Sequence, residues 1–228
     1  MTILLIKAAA GVIVGVLAGF AAVYIFNKMP ASWLCDYDEK PSRELIDPYV
    51  QRVKGMPWRW IYAAGFVCLV LKLVFFDMQY TVAALFACWA FLIIGLADLK
   101  YMIIPDQFVI MLALTAFGFI PYHDNMLQPL LGMAIGGGAM LTVILLGGAA
   151  FKKDVMGFGD VKLFASAGLV LGIKGVIIVL VGSSIFSGIA AAAGLASGKC
   201  KRDDLRPLGP YICGWGIFYI FIIWPFLM

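Results

Sequence analysis

Charged side chains are scarce in this sequence of 228 residues: Asp, Glu, Lys and Arg make up 13% of it, and hydrophobic residues make up 64%. A soluble globular domain averages roughly 25% charged and 45–50% apolar residues. The scarcity of charge therefore excludes an ordinary soluble domain and predicts a chain that lies in a lipid bilayer. The net charge of +4 requires no nucleic-acid partner, because basic loops against an anionic membrane surface account for it.

Motifs that would indicate a metal or a nucleotide cofactor are also missing. The five cysteines include no C-x-x-C pair, so neither a zinc site nor a disulfide framework is indicated. No Pro-rich or Ser-rich linker divides the chain. A run of three glycines, at 136–138, lies inside an apolar segment with no strand before it. Close packing of helices explains that run better than phosphate binding does.

The apolar residues fall into eight runs, and a membrane-spanning helix needs roughly 17–25 mostly apolar residues. The first run is too long for a signal-peptide core and has no small-residue cleavage site after it. A tight turn is expected at Gly172, Lys174 and Gly175, after the short sixth run. The sequence thus predicts an all-α, polytopic membrane protein with about eight transmembrane helices, at 3–27, 58–76, 80–97, 106–122, 129–151, 161–173, 175–197 and 209–227.

Cationic residues are concentrated in one set of loops. With eight spans, loops 28–59, 98–106, 151–162 and 198–208 lie on one side and hold 14 of the 17 Lys and Arg residues. The other three, Lys7, Lys72 and Lys174, fall toward the opposite side. Because Lys and Arg accumulate in cytoplasmic loops, the sequence predicts that both termini are outside and that the charged loops face the cytoplasm.

Two aspartates, Asp98 and Asp160, stand at the ends of apolar runs, where a carboxylate is expensive to keep and suggests a function. Asp98 closes the third span and Asp160 opens the sixth, so the topology places both at the cytoplasmic face. Two carboxyls that share a proton can activate a water and polarise a substrate carbonyl, as aspartyl proteases do. Helix capping, or salt bridges to Lys100 and Lys162, are the alternatives.

Two glycines precede the second aspartate. Gly157 and Gly159 permit backbone conformations and close approaches that side chains forbid, and Gly159 is expected to let a substrate strand or water reach Asp160. A helix dipole favours the anion at a helix start and opposes it at a helix end. Asp98 is therefore the expected proton carrier, and Asp160 the expected anion.

Three further polar residues are candidates for a role at a functional site. Asp106 follows Pro105 at the start of the fourth span, a position that favours a helix N-cap over a catalytic role. Lys162 is expected to orient the site by pairing with a carboxylate, with snorkelling toward the interface as the alternative. His123, the one histidine, is expected to be a turn residue on the outer side rather than a metal ligand.

These motifs resemble those of a known family. Residues 157–160 fit the G-x-G-D signature of intramembrane aspartyl proteases, and the segment from Asp98 to Asp106 resembles the other half-site of type IV prepilin peptidases. Lys162 stands two positions after the second aspartate, as in that family. The stretch 206–211 is similar to the family's C-terminal Pro-x-Gly-Pro-aromatic segment.

The resemblance implies a membrane-embedded aspartyl endopeptidase that removes the basic leader from prepilin or pseudopilin precursors at the cytoplasmic face of the cell membrane, for type IV pili or type II secretion. Asp98 and Asp160 would be catalytic. Residues 80–228 would form a six-helix peptidase region, and 1–79 would hold two helices and the cytoplasmic loop 28–57. The orienting residues would be Gly157, Gly159, Lys162, Pro105 and Asp106.

Bifunctional members also N-methylate their product with S-adenosylmethionine, and they carry two C-x-x-C pairs in the first cytoplasmic loop. Here residues 28–57 hold one cysteine, Cys35, so no metal is expected. No cofactor is implied for proteolysis, and S-adenosylmethionine is required only if methylation is retained. The loop is a remnant of the methyltransferase region, a docking element for the leader, or a plain surface loop.

Two other classes of protein compete with this interpretation. A presenilin-type protease would cut within transmembrane helices, but those enzymes usually have Tyr-Asp at the first half-site, where this chain has Ala97 and Asp98. A proton-coupled transporter could use the same carboxylates as a relay. A transporter would be expected to bury them nearer mid-span and to show two similar halves with broken helices.

Overall fold

Helices account for the regular structure of this protein. The computed structural model describes residues 2–35, 41, 43–47, 50–151, 157–198 and 206–227, and no strand occurs among them. The helices are α1 (Thr2–Lys28), α2 (Arg43–Ile46), α3 (Trp58–Val74), α4 (Met78–Tyr101), α5 (Asp106–Phe119), α6 (Leu127–Phe151), α7 (Phe158–Ala196), α8 (Gly209–Phe218) and α9 (Trp224–Leu227), with a π-helical turn, Tyr219–Ile223, between the last two. The all-α prediction is confirmed for these residues.

Five helical stretches in the described ranges are long and apolar enough to cross a bilayer: Leu4–Lys28, Met78–Tyr101, Leu127–Ala149, Phe158–Ala196 and Gly209–Leu227. Helix α3 has 17 residues, and Asp106–Tyr122 is another apolar helix of less than full length. The chain is therefore a multi-pass membrane protein. The count of eight crossings and the side of the termini stay predictions.

Helix α7 folds back on itself at Gly172, where φ is 68° and ψ is −171°. A Cβ placed on Gly136 of α6 would lie 2.4 Å from the carbonyl oxygen of Phe164 and 2.8 Å from Cγ2 of Val176. In a straight helix those two residues would be separated by about 18 Å along the axis. The two arms of α7 thus lie side by side, which is the tight turn expected at Gly172.

Long helices that follow one another along the chain run in opposite directions, so that the bundle has two common ends. Tyr80, at the start of α4, donates its hydroxyl to the carbonyl of Ile220 at 2.8 Å, while Gly95 near the end of α4 packs against Cys213 near the start of α8. We call the end that holds the last turn of α4 and the first turns of α5, α7 and α8 the site end, and the opposite end the far end. Both ends of the described chain lie at the far end.

Small residues allow the helices to approach closely. A Cβ on Gly168 of α7 would lie 2.1 Å from the carbonyl oxygen of Gly132 in α6, and one on Gly19 of α1 would lie 2.2 Å from the amide of Ala63 in α3. Gly136 packs in the same way, and the space beside Gly138 is open. Such contacts increase the packing area between helices that have no hydrophobic driving force in lipid. The prediction of close packing is confirmed for Gly136.

Part of the loop 28–57 is fastened to the end of α1. The guanidinium of Arg52 donates to the carbonyls of Phe26 at 3.2 Å and Leu45 at 3.1 Å, and Asn27 exchanges two hydrogen bonds with the backbone of Val53. These bonds satisfy carbonyls that a helix end leaves free. Residues 36–40, 42 and 48–49 of this loop lie outside the described residues, as do 152–156 and 199–205, which carry several of the predicted cytoplasmic cations.

Candidate active site

Asp98 lies in the last turn of α4, where it is only 5% exposed. Its carbonyl accepts the N–H of Met102 at 2.9 Å, and Met102 ends the helix in the left-handed conformation, with φ of 55°. This cap turns the chain toward α5 immediately after the aspartate. The sequence places an acidic side chain in a buried position at the site end, where it must find polar partners.

Asp160 is the third residue of α7 and is half-buried. The carboxyls of Asp160 and Asp98 are near enough to interact electrostatically. The structure therefore brings together the two aspartates that the topology had placed at one end. Two carboxyls that lie this close in a partly buried site cannot both ionise easily, so they share a proton.

The two glycines before Asp160 differ in their conformation and contacts. Gly157 is the N-cap of α7 with φ of −72° and ψ of 143°, a conformation open to any residue. A Cβ on Gly159 would lie 3.2 Å from Cβ of Ile104 in the α4–α5 connection. Gly157 thus uses no conformation reserved for glycine, whereas Gly159 permits a close approach, that of the start of α7 to Ile104. Access of a substrate strand or water to Asp160 past Gly159 stays a prediction.

Gly209, at the start of α8, contacts Asp98 directly. Its N–H donates to Oδ2 of Asp98 at 2.7 Å, across 111 positions in the sequence. In the sequence, the segment around Gly209 is distinguished only by its resemblance to a family motif, which predicts no contact with Asp98. The signal was the pair Gly209 and Pro210, which marks a helix start that can present a free amide.

Cys213, one turn further along α8, forms another wall of the site. Its side chain packs against Gly95 of α4, where an added Cβ would lie 3.2 Å from Cβ of the cysteine. The thiol is buried and lies near both Asp98 and Asp160. No sequence signal indicates that this cysteine lies at the site, because it falls inside an apolar run.

Lys162 forms an ion pair with Asp106, and Nζ lies 2.9 Å from each carboxylate oxygen. The pair joins the first turn of α7 to the start of α5, and about a third of each side chain is exposed, 37% and 31%. Lys162 thus pairs with a carboxylate, as expected, and that carboxylate belongs to Asp106. Pro105, with φ of −69° and ψ of 120°, is the N-cap of α5, so the placement of Asp106 at the N-cap is wrong by one residue.

The far end holds the one histidine. Nε2 of His123 lies 3.1 Å from the carbonyl of Val170, and Asp124 forms an exposed ion pair with Lys174 at 3.3 Å. Burial lowers the pKa of His123, so the neutral ring donates its Nε2–H to that carbonyl. Within the described part of the chain, no group of three or more His, Cys, Asp or Glu side chains could hold a metal ion.

The fold and the site together define a polytopic helical membrane protein with two interacting carboxyls at one end of its bundle. Residues 84–192 match the model of the type IV leader peptidase family, which confirms the resemblance drawn from the motifs. The matched stretch contains Asp98, Asp106 and Asp160.

Over the stretches that align, curated relatives are about a third identical to this chain. It is 32% identical over 143 residues to a prepilin leader peptidase/N-methyltransferase of Xanthomonas campestris, covering 60% of this chain and 49% of the relative. Proteins with the same name from Legionella pneumophila and Bacillus subtilis are 32% and 31% identical over 142 and 128 residues, covering 60% and 55% of this chain and 49% and 50% of the relatives. The chain thus spans about half the length of the relatives it matches. No solved structure matches it.

Proposed function

We propose that this protein is an aspartyl endopeptidase that removes the basic leader from prepilin-like precursors. The observation that carries the proposal is the meeting of the Asp98 and Asp160 carboxyls inside the stretch that matches the type IV leader peptidase family. That match favours a leader peptidase over a presenilin-type protease or a transporter. The names of the relatives, which are prepilin leader peptidases, support a pilin-like precursor as the substrate.

The two carboxyls divide the chemistry of peptide hydrolysis between them. The ionised carboxylate, Asp160 in our assignment, takes a proton from a water that attacks the scissile carbonyl carbon. The protonated carboxyl of Asp98 donates its proton toward the carbonyl oxygen and stabilises the charge that develops there. When the C–N bond breaks, the leaving amine receives a proton from Asp160, and Asp98 recovers its own from the collapsing intermediate. The free enzyme is thereby restored.

The site end faces the cytoplasm in this proposal, in the cell membrane, because the loops at that end contain most of the cations. A precursor would thread its apolar helix into the bilayer and present the basic leader at the same face. Proteolysis by this route uses the two carboxyls and water, without a metal or S-adenosylmethionine. S-adenosylmethionine would be a substrate only for a retained N-methylation, the second activity in the names of the relatives.

The test is cleavage of a purified prepilin-like precursor by the full chain in proteoliposomes. Asp98→Asn and Asp160→Asn should each lower kcat by roughly 10³-fold or more, because catalytic residues that act as a unit fail together. The same assay should keep its rate with a chelator present and S-adenosylmethionine absent. Mass spectrometry of the new N-terminus, with S-adenosylmethionine added, reports on methylation.

Asp124→Asn is the matched control, because Asp124 is a carboxylate at the far end, exposed and paired with Lys174. It should cleave at the wild-type rate. Full activity in either Asp98→Asn or Asp160→Asn, with the fold intact, would refute the shared-carboxyl mechanism. Cleavage inside the apolar helix of the precursor, rather than after the leader, would favour the presenilin-type alternative.

A further inference from the structure

The first turn of α8 presents one backbone amide to the site. The N–H of Tyr211 donates to the carbonyl of Leu208 at 3.0 Å, and Pro210 has no N–H to offer. The N–H of Gly209 instead donates to Oδ2 of Asp98. The amides at a helix start have no partner within the helix, so the Gly209 N–H is free to donate to the carboxylate of Asp98.

The space beside Gly209 is filled by the same aspartate. A Cβ on Gly209 would lie 2.6 Å from Oδ2, 2.9 Å from Cγ and 3.0 Å from Cβ of Asp98. Any residue other than glycine at this position would have to displace the carboxyl. The requirement for glycine comes from the aspartate, since Gly209 is not among the glycines with positive φ.

We propose that Gly209 is a positioning residue for Asp98: its amide holds Oδ2 and its missing side chain keeps the carboxyl in place, so that Oδ1 is the oxygen turned to the reaction. This inference rests on the proposed function only for its consequence in catalysis. A hydrogen bond from a rigid helix start fixes the rotation of a carboxyl that must meet Asp160 within a fraction of an ångström. Helix α8 is then the third helix of the site, beside α4 and α7.

Stability measurements test the contact without using peptidase activity. Gly209→Ala should lower the unfolding temperature of the detergent-solubilised full chain, because the new methyl group collides with the carboxyl. The same change in an Asp98→Ala background should cost clearly less, since Oδ2 and Cγ are then gone, and two residues in contact show such non-additivity. Equal losses in both backgrounds, or failure to fold in both, would overturn the proposal.

Kinetics test the consequence for catalysis, with Gly214→Ala as the control. Gly214 lies in the same helix and a Cβ there would meet nothing within 4 Å, so this variant should cleave as the wild type does. Gly209→Ala should lower kcat roughly 100-fold and leave KM within about twofold, because a residue that only orients the carboxyl binds no substrate. An unchanged kcat, or a raised KM with kcat intact, would contradict the positioning role.

The two measurements separate the inference from the proposed function. A stability coupling between Gly209 and Asp98 in a protein that cleaves no precursor would refute the peptidase proposal and leave the positioning of Asp98 standing. Cleavage that depends on Asp98 and Asp160 but is unaffected by Gly209→Ala would support the peptidase proposal and refute the positioning role of Gly209.

Discussion

Asp98 and Asp160 differ in their surroundings at the level of single residues. Asp98 is buried and holds the Gly209 amide through Oδ2, whereas Asp160 is half-buried at the start of α7, where the N–H of Asp160 itself bonds to the carbonyl of Gly157 at 3.2 Å. The more open carboxyl is the one that water can reach. The Gly209 N–H, however, stabilises the ionised form of Asp98, so these surroundings do not support Asp98 as the proton carrier, and that assignment stays a prediction.

The Asp106–Lys162 ion pair should matter more for activity than for stability. A pair that is a third exposed contributes only about 0–1 kcal/mol to the free energy of unfolding. It does, however, connect the starts of α5 and α7 two residues beyond Asp160. Lys162→Met and Asp106→Asn should each lower kcat by up to roughly tenfold through a small displacement of Asp160.

A double-mutant cycle on kcat checks this prediction. The double variant should be no slower than the slower single variant, because both changes break one pair. The exposed pair Asp124–Lys174 at the far end supplies the control, and Lys174→Met should leave kcat unchanged. Fully additive losses for Asp106 and Lys162 would mean that the two residues act separately.

At the level of elements, the reversal in α7 determines where Asp160 stands. Gly172 has a backbone conformation, φ of 68° and ψ of −171°, that is essentially limited to glycine. His123 packs against it, since a Cβ on Gly172 would lie 2.9 Å from two atoms of the imidazole ring. The carbonyl of Val170, just before the reversal, accepts the ring's Nε2–H. The turn before α6 therefore fastens the point at which α7 changes direction.

Gly172→Ala should destabilise the protein by about 1–3 kcal/mol, because the alanine must adopt a strained conformation and its methyl group collides with His123. Gly188→Ala in the second arm of α7 is the control. A Cβ there meets nothing within 4 Å, and alanine is favoured over glycine inside a helix. In detergent, the unfolding temperature should be lower than wild type for Gly172→Ala and not for Gly188→Ala. Equal transitions in the two variants would contradict the role given to the reversal.

At the level of the whole molecule, hydropathy anticipated most of the architecture. The predicted apolar runs coincide with helices to within a few residues, since lipid leaves the backbone little alternative to intrahelical hydrogen bonds. The alternation of spans also brought Asp98 and Asp160 to one end. Contacts between distant segments could not be predicted from the sequence. They are the hydrogen bond from the Gly209 amide to Asp98, the packing of Cys213 against Gly95, and the packing of Gly159 against Ile104. Backbone donors and missing side chains leave no periodic pattern from which to infer a partner.

The orientation in the membrane is a property of the molecule as a unit. The site end should face the cytoplasm, because loops rich in Lys and Arg stay on that side during insertion. Phe158, 61% exposed at the site end, and Met126, 78% exposed at the far end, are suitable reporters. In a cysteine-free background, Met126→Cys should react with a membrane-impermeant maleimide in intact cells, and Phe158→Cys only after the membrane is permeabilised. The reverse pattern would place the two carboxyls on the outer face, where a leader still in the cytoplasm could not reach them.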